Sequence, residues 1–106
     1  MAQEKNYENK IKKFLKEKNI WFVKYFANAF TKSGIPDILA CVNGKFVAIE
    51  VKAENGKPSE LQLYHKKKIE ESGGKAYILY PNDFEKFKAD IESEVSKWNS
   101  QQLKQN

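Results

Sequence analysis

The chain has 106 residues, of which 41% are hydrophobic and fourteen aromatic, with a formal net charge of +5. That composition argues against disorder and leaves room for one packed core. Cys41 is the only cysteine, which excludes an intramolecular disulfide and a multi-cysteine zinc site.

The charged start MAQEKNYENK does not resemble a signal peptide, and no apolar stretch approaches the ~20 residues that span a bilayer. The expectation is a soluble, intracellular protein with no membrane partner. Tyr7, Ile11, Phe14 and Leu15 recur at helical spacing, with lysines on the other faces, so residues 6 to 18 read as an amphipathic helix with Asn6 as its cap. The run Ile20 to Phe26 is β-branched and aromatic, the pattern of a strand buried on both faces or of one hidden in an interface.

Residues 27 to 36 form a loop by composition, closing on Ser33, Gly34 and Pro36, and Asp37 to Val42 reads as the second strand. Asn43-Gly44 is a strong hairpin signal, because a type I′ turn needs positive φ at both central positions. Lys45 to Lys52 returns as the third strand. Ser59 with Gln62 three residues later has capping-box spacing and opens a helix to about Ser72. After Gly73-Gly74, Ala76 to Tyr80 reads as a fourth strand. Pro81-Asn82-Asp83 then starts a last helix with Phe84, Phe87, Ile91, Val95 and Trp98 on one face.

The order is α-β-β-β-α-β-α, predicting one α/β domain over residues 1 to 98 with a mixed sheet flanked by helices, and a polar tail over 99 to 106 that frays. No internal repeat or low-complexity segment is present.

A two-residue turn at Asn43-Gly44 makes Val42 face Lys45, and that register carries Asp37 opposite Glu50. Cβ atoms directly opposed on one sheet face lie about 4.5 to 5.5 Å apart, so the two carboxylates come together. Side chains alternate along a strand, which puts Lys52 on the same face as Glu50. Two hard oxygen donors at that spacing suit a divalent cation such as Mg²⁺, with the ammonium beside it placed for the attacking water. An acid and a lysine two apart on a strand most often form only a solvated or paired face. Here the strand is otherwise apolar and Asp37 arrives on the same face by register, which favours a functional pair.

Ser33-Gly34-Ile35-Pro36-Asp37, Ile49-Glu50-Val51-Lys52, the Gly56-Lys57-Pro58-Ser59 element, Leu61-Gln62 and Gly73-Gly74, in this order, resemble the PD-(D/E)XK nucleases of the restriction-endonuclease-like superfamily, specifically the VRR-NUC type. The resemblance covers about residues 7 to 92. It implies hydrolysis of a DNA phosphodiester with Mg²⁺ or Mn²⁺ held by Asp37, Glu50 and the backbone carbonyl of Val51, with Lys52 placing the water and Gln62 lying close to the site. Glu8 matches an additional acid that related nucleases place near the metal; its plain alternative is a solvent-facing acid in a first helical turn. The likeness extends to small phage-type Holliday junction resolvases, which implies branched or junction DNA as partner, a homodimer, and a phage or prophage origin.

All nineteen basic residues are lysines, so no guanidinium fork is available to read guanine edges, and phosphate contact is the expected mode. Lys32, Ser33 and Lys57, in loops beside the proposed site, are the candidate DNA contacts. Lys66, Lys67 and Lys68 read as a solvated helix face, and His65, Tyr64, Tyr77 and Tyr80 as packing residues. A non-catalytic nucleic-acid-binding module of the same fold is the competing function. A lysine-rich structural or partner-binding protein is a third, and it leaves the loop motifs unexplained.

Overall fold

An apolar stripe, Tyr7, Ile11, Phe14 and Leu15, commits the first segment to a helix, α1 (Ala2–Glu17), and all four side chains are buried. The computed structural model describes residues 2–28 and 30–105; Ala29 of the long loop and Asn106 of the polar tail lie outside them. α1 begins earlier than the sequence pattern predicts, and Asn6 is an exposed position inside it rather than its cap. Ala2, Gln3, Glu4 and Lys5 are favourable helix formers, and Glu4 lies in the first turn where the dipole stabilises an acid. At the other end Asn19 takes a left-handed conformation (φ 58°), and the Ile20 N–H donates back to the Leu15 carbonyl, closing the helix in a Schellman turn.

The strands β1 (Trp21–Lys24), β2 (Ile38–Val42), β3 (Lys45–Val51) and β4 (Lys75–Leu79) form one sheet in the order β1-β2-β3-β4. The first three are antiparallel neighbours, and β4 joins β3 in parallel after the helix α2 (Glu60–Glu71). The hairpin register is the predicted one: Val42 faces Lys45 and Ile38 faces Ile49, across a turn with φ 54° at Asn43 and 73° at Gly44. β1 is shorter than expected and lies at the sheet edge. Trp21 and Val23 are exposed, so the strand is not buried on both faces.

One sheet face, built by Ile38, Ala40, Val42, Val47, Ile49 and Val51, packs with the α1 stripe and with Phe84, Phe87 and Ile91 of α3 (Phe84–Gln105). A 3-10 turn, Pro81–Asp83, leads into α3. α3 continues through the polar segment to Gln105. The strand directions bring the ends of β1, β3 and β4, the start of β2 and the first turns of α1 and α2 to one end of the sheet. Gln3 ties that end together by accepting the Glu54 N–H on its side-chain oxygen at 3.1 Å.

Candidate active site

Asp37 and Lys52 stand one residue outside their strands, at the sheet end where these elements converge. Pro36 has no N–H to return to the antiparallel ladder, so β2 cannot extend through it. The Val51 N–H donates instead to Asp37 Oδ2 at 2.8 Å, and this bond fixes the carboxylate. On the other side the Tyr25 N–H donates to the Asp37 carbonyl at 2.8 Å, continuing the pairing of β1 with β2. The approach to Asp37 is tight. Gly34 has φ +78°, and a Cβ there would come within 2.9 Å of the Leu61 backbone and side chain of α2. Glycine answers both demands.

Glu50 is buried on the β3 face opposite the core, at 5% exposure. Burial first and the Asp37 charge second push its carboxyl up to about 7, against the opposing influence of Lys52. Lys52 Nζ lies 3.5 Å from Glu50 Oε2. The Lys52 N–H donates to the Leu79 carbonyl at 2.9 Å, holding its backbone to β4. Its stem runs past Gly56, where a Cβ would sit 3.3 Å from Lys52 Cδ, and Tyr80 anchors that loop by donating its hydroxyl to the Gly56 carbonyl at 2.9 Å. The predicted grouping of Asp37, Glu50 and Lys52 is therefore present.

Gln62 serves two ends of the site at once. Its side-chain oxygen accepts the Ser59 N–H at 2.9 Å to complete the capping box, and its side-chain nitrogen donates to Glu50 Oε2 at 2.9 Å. The capping role therefore does not remove it from the site, because the amide has separate donor and acceptor ends. Ser59 Oγ accepts the Gln62 N–H at 3.1 Å, so the first turn of α2 aims the amide.

Glu8 is not solvent-facing: it is 6% exposed and surrounded by ammonium groups. Lys24 Nζ donates to its Oε1 at 2.7 Å, and Lys12 and Lys5 approach its Oε2 at 3.1 and 3.5 Å. Burial raises its pKa, but the hydrogen bonds and charges of Lys24 and Lys12 outweigh that and hold it below the ordinary carboxylate value. Lys24 also lies 3.5 Å from Asp37 Oδ1. Burial disfavours its charge, yet Glu8 and Asp37 together hold its pKa above the usual lysine value. Lys24 is the residue that sequence reasoning missed, although a lone lysine inside the apolar run from Ile20 to Phe26 was its signal.

The remaining candidates lie at the rim. Lys32, Ser33 and Lys57 are exposed, and among the described residues neither lysine pairs with an acid. Lys66 pairs with Glu70, and Lys67 and Lys68 with Glu71, as a solvated helix face does. No group of three or more His, Cys, Asp or Glu side chains converges on one point among the described residues, so any cation here relies on two carboxylates and backbone or water oxygens. The donor set fits such an ion. Glu50 Oε1 is buried with no hydrogen-bond partner, which is costly unless a cation or proton answers it.

A mixed sheet flanked by helices, carrying an acid at the start of one strand and an acid and lysine two apart at the end of the next, is the arrangement of the restriction-endonuclease-like superfamily. Within it, the chain belongs to the archaeal Holliday junction resolvase (Hjc) family, whose model matches residues 2–90. No curated protein is significantly similar to the chain in sequence. Among the described residues, no helix is long and apolar enough to cross a membrane.

Proposed function

We propose that this protein is a Mg²⁺- or Mn²⁺-dependent endodeoxyribonuclease that cuts branched DNA of the four-way-junction kind. The observation that carries the reading is the buried, unpartnered Oε1 of Glu50 in a site shared with Asp37 and Lys52. Membership of a junction resolvase family supports the substrate class. The narrower likeness to VRR-NUC and phage-type enzymes rests on the loop and strand motifs alone.

Asp37, Glu50 and the Val51 carbonyl would hold the cation, whose contribution when bound is neutralisation of phosphoryl charge and a lowered pKa of water. The other tasks fall to the chain. The Val51 N–H and Lys24 orient Asp37, and Gln62 steadies Oε2 of Glu50, leaving the buried Oε1 for the cation. Lys52 orients the attacking water and meets charge that develops on the phosphoryl oxygens. Glu8, considered above as a metal ligand, reaches a cation only by giving up part of its lysine shell; its place behind Lys24 supports Asp37 instead. Lys32, Ser33 and Lys57 contact phosphates along the flanking strands.

The active form in this reading is a homodimer, matching the two-fold symmetry of a four-way junction. Trp21, Cys41 and Phe46 are register partners across β1, β2 and β3, and all are exposed on the sheet face that carries Glu50, beside α2. A contiguous apolar patch of this kind marks an interaction surface. Trp98 and Trp21 also line one groove of about 580 Å³ with Ile20 and Val95. Light scattering should give a dimer that Trp21→Glu converts to monomer; a wild-type monomer at assay concentrations contradicts the assembly.

The reaction is tested by incubating labelled four-way, flapped and linear DNA with the protein in Mg²⁺. Nicks near the branch that chelator suppresses are expected. A salt-sensitive mobility shift without product at any metal concentration would make it a binding module instead.

A further inference from the structure

Two phenylalanines lie outside both the core and the site. Phe26 is 74% exposed and Phe30 97% exposed, both on the loop that joins β1 to β2. The loop leaves and re-enters the sheet at the active site, since the bond from the Tyr25 N–H to the Asp37 carbonyl pins its two ends together. Its own polar groups order the turn. The Phe30 N–H donates to Asn28 Oδ1 at 2.7 Å, the Asn28 N–H to Thr31 Oγ1 at 2.8 Å, and the Tyr25 hydroxyl to the Lys32 carbonyl at 3.3 Å. The Phe30 ring is thereby presented to solvent, with nothing among the described residues covering it.

Proteins grip nucleobases on aromatic faces or on guanidinium planes. This chain has no arginine, so the task falls to its aromatic rings. Other exposed rings belong to other surfaces: Trp21 and Phe46 to the sheet face, Tyr64 to α2 and Trp98 to α3. Among the described residues, Phe26 and Phe30 are the exposed rings on the segment that leads into Asp37. The charges agree with a DNA occupant. Lys32 is exposed on the same loop, and Lys24 Nζ lies 6.0 Å from the Phe26 ring centre. A second copy of a chain with net charge +5 would bring like charge to this rim, whereas phosphates bring the opposite one.

We propose that Phe30, with Phe26 on the same loop, stacks on a nucleobase left unstacked at the branch of the DNA, so that this loop selects branched substrates for the site at Asp37, Glu50 and Lys52. The bases of a continuous duplex offer no free face, whereas a branch point does. The inference rests on the nuclease reading above and deepens it by naming what is recognised.

The test uses the full chain and its Phe30→Ala and Phe30→Trp variants, with a four-way junction carrying 2-aminopurine at the branch and a linear duplex as control. Binding is read with Ca²⁺ in place of Mg²⁺, and cleavage with Mg²⁺. The wild type should change the 2-aminopurine fluorescence on binding. Phe30→Ala should abolish that change and bind the junction roughly five- to one-hundred-fold more weakly, the range of one lost base stack, with duplex affinity unaltered. Phe30→Trp should restore both. Equal binding and cleavage of the junction by wild type and Phe30→Ala would overturn the proposal while leaving the nuclease reading intact. So would equal weakening on junction and duplex, or a Phe30→Ala variant that loses dimerisation in light scattering, which would make the partner protomer the occupant. A wild-type protein that neither binds nor cuts any of these DNAs would overturn both readings.

Discussion

The side-chain nitrogen of Gln62 donates to Oε2 of Glu50 at 2.9 Å while its oxygen caps the helix that carries it. The cap and the site are thus mechanically one unit, and substitutions at Ser59 and Gln62 should separate their two roles. Ser59→Ala removes the hydroxyl acceptor but leaves the backbone bond to the Gln62 oxygen, and should lower stability by about 1 kcal/mol with little loss of cleavage. Gln62→Ala removes both roles and should lower stability comparably, while slowing cleavage by an order of magnitude or more. Chemical denaturation with single-turnover cleavage on the same preparations checks this. Equal activity of the two variants would show that the contact with Glu50 is idle.

The raised pKa of Glu50 fixes a pH dependence. In metal-free protein its folded-state pKa is about 7, above the ordinary carboxylate value near 4.3. The folded state then binds more protons than the unfolded one between these values, so stability is greatest at the low end and declines as pH rises through that window. Glu8 is shifted the other way, and its contribution is lost only as pH falls below the ordinary carboxylate range. In chelator, the Tm should fall between pH 5 and pH 7.5, and Glu50→Gln should flatten the slope. Mg²⁺ favours the ionised carboxylate and should raise Tm more at pH 8 than at pH 5.5. A flat metal-free profile would contradict the account of this group.

Lys24 joins two elements that have no sequence proximity, taking Glu8 from α1 and Asp37 from the start of β2. Lys24→Met should destabilise the protein by about 2 kcal/mol, since Glu8 stays buried with Lys12 and Lys5 only. A double-mutant cycle with Glu8→Gln should show a coupling of about 1 kcal/mol. Additive effects would mean that the pair is incidental.

Two glycines with similar backbone angles should respond differently to alanine. Gly34 (φ +78°) meets Leu61 at 2.9 Å, whereas Gly44 (φ +73°) has nothing within 4 Å of its added Cβ. Gly44→Ala should lose only the left-handed backbone preference, about 1 to 2 kcal/mol. Gly34→Ala should lose more and should also impair cleavage, because the displaced loop carries Pro36 and Asp37. Calorimetry beside the cleavage assay decides it, and equal losses would remove the packing argument.

The features most legible in the sequence were those written locally. Asn43-Gly44 determines a two-residue turn, the turn determines the register, and the register brings Asp37 to Glu50 with Lys52 beside it. The apolar stripes of α1 and α3 were equally plain. The edge position of β1 was not, because Trp21, Phe22 and Val23 give the same run whether a strand is covered by its own chain or left exposed. The early start of α1 was hidden for a related reason: Gln3 is tied to Glu54, a partner far along the chain. Glu8 and Lys24 acquire meaning only when α1 and β1 are side by side. The two-ended use of Gln62 likewise needs Glu50 in place before it can be seen.

The central claim is that Asp37, Glu50 and Lys52 cut DNA with a divalent cation. Cleavage of a labelled four-way junction by wild type and by Lys52→Ala, at equal protein and saturating Mg²⁺, tests it most directly. Lys52 is a partly buried side chain at a strand end, so circular dichroism and junction binding should stay near wild type in the variant. The expected result is a loss of cleavage of at least about a hundredfold, the scale on which a group that stabilises transition-state charge is felt. Unchanged cleavage by a folded Lys52→Ala protein would contradict the assignment of this site.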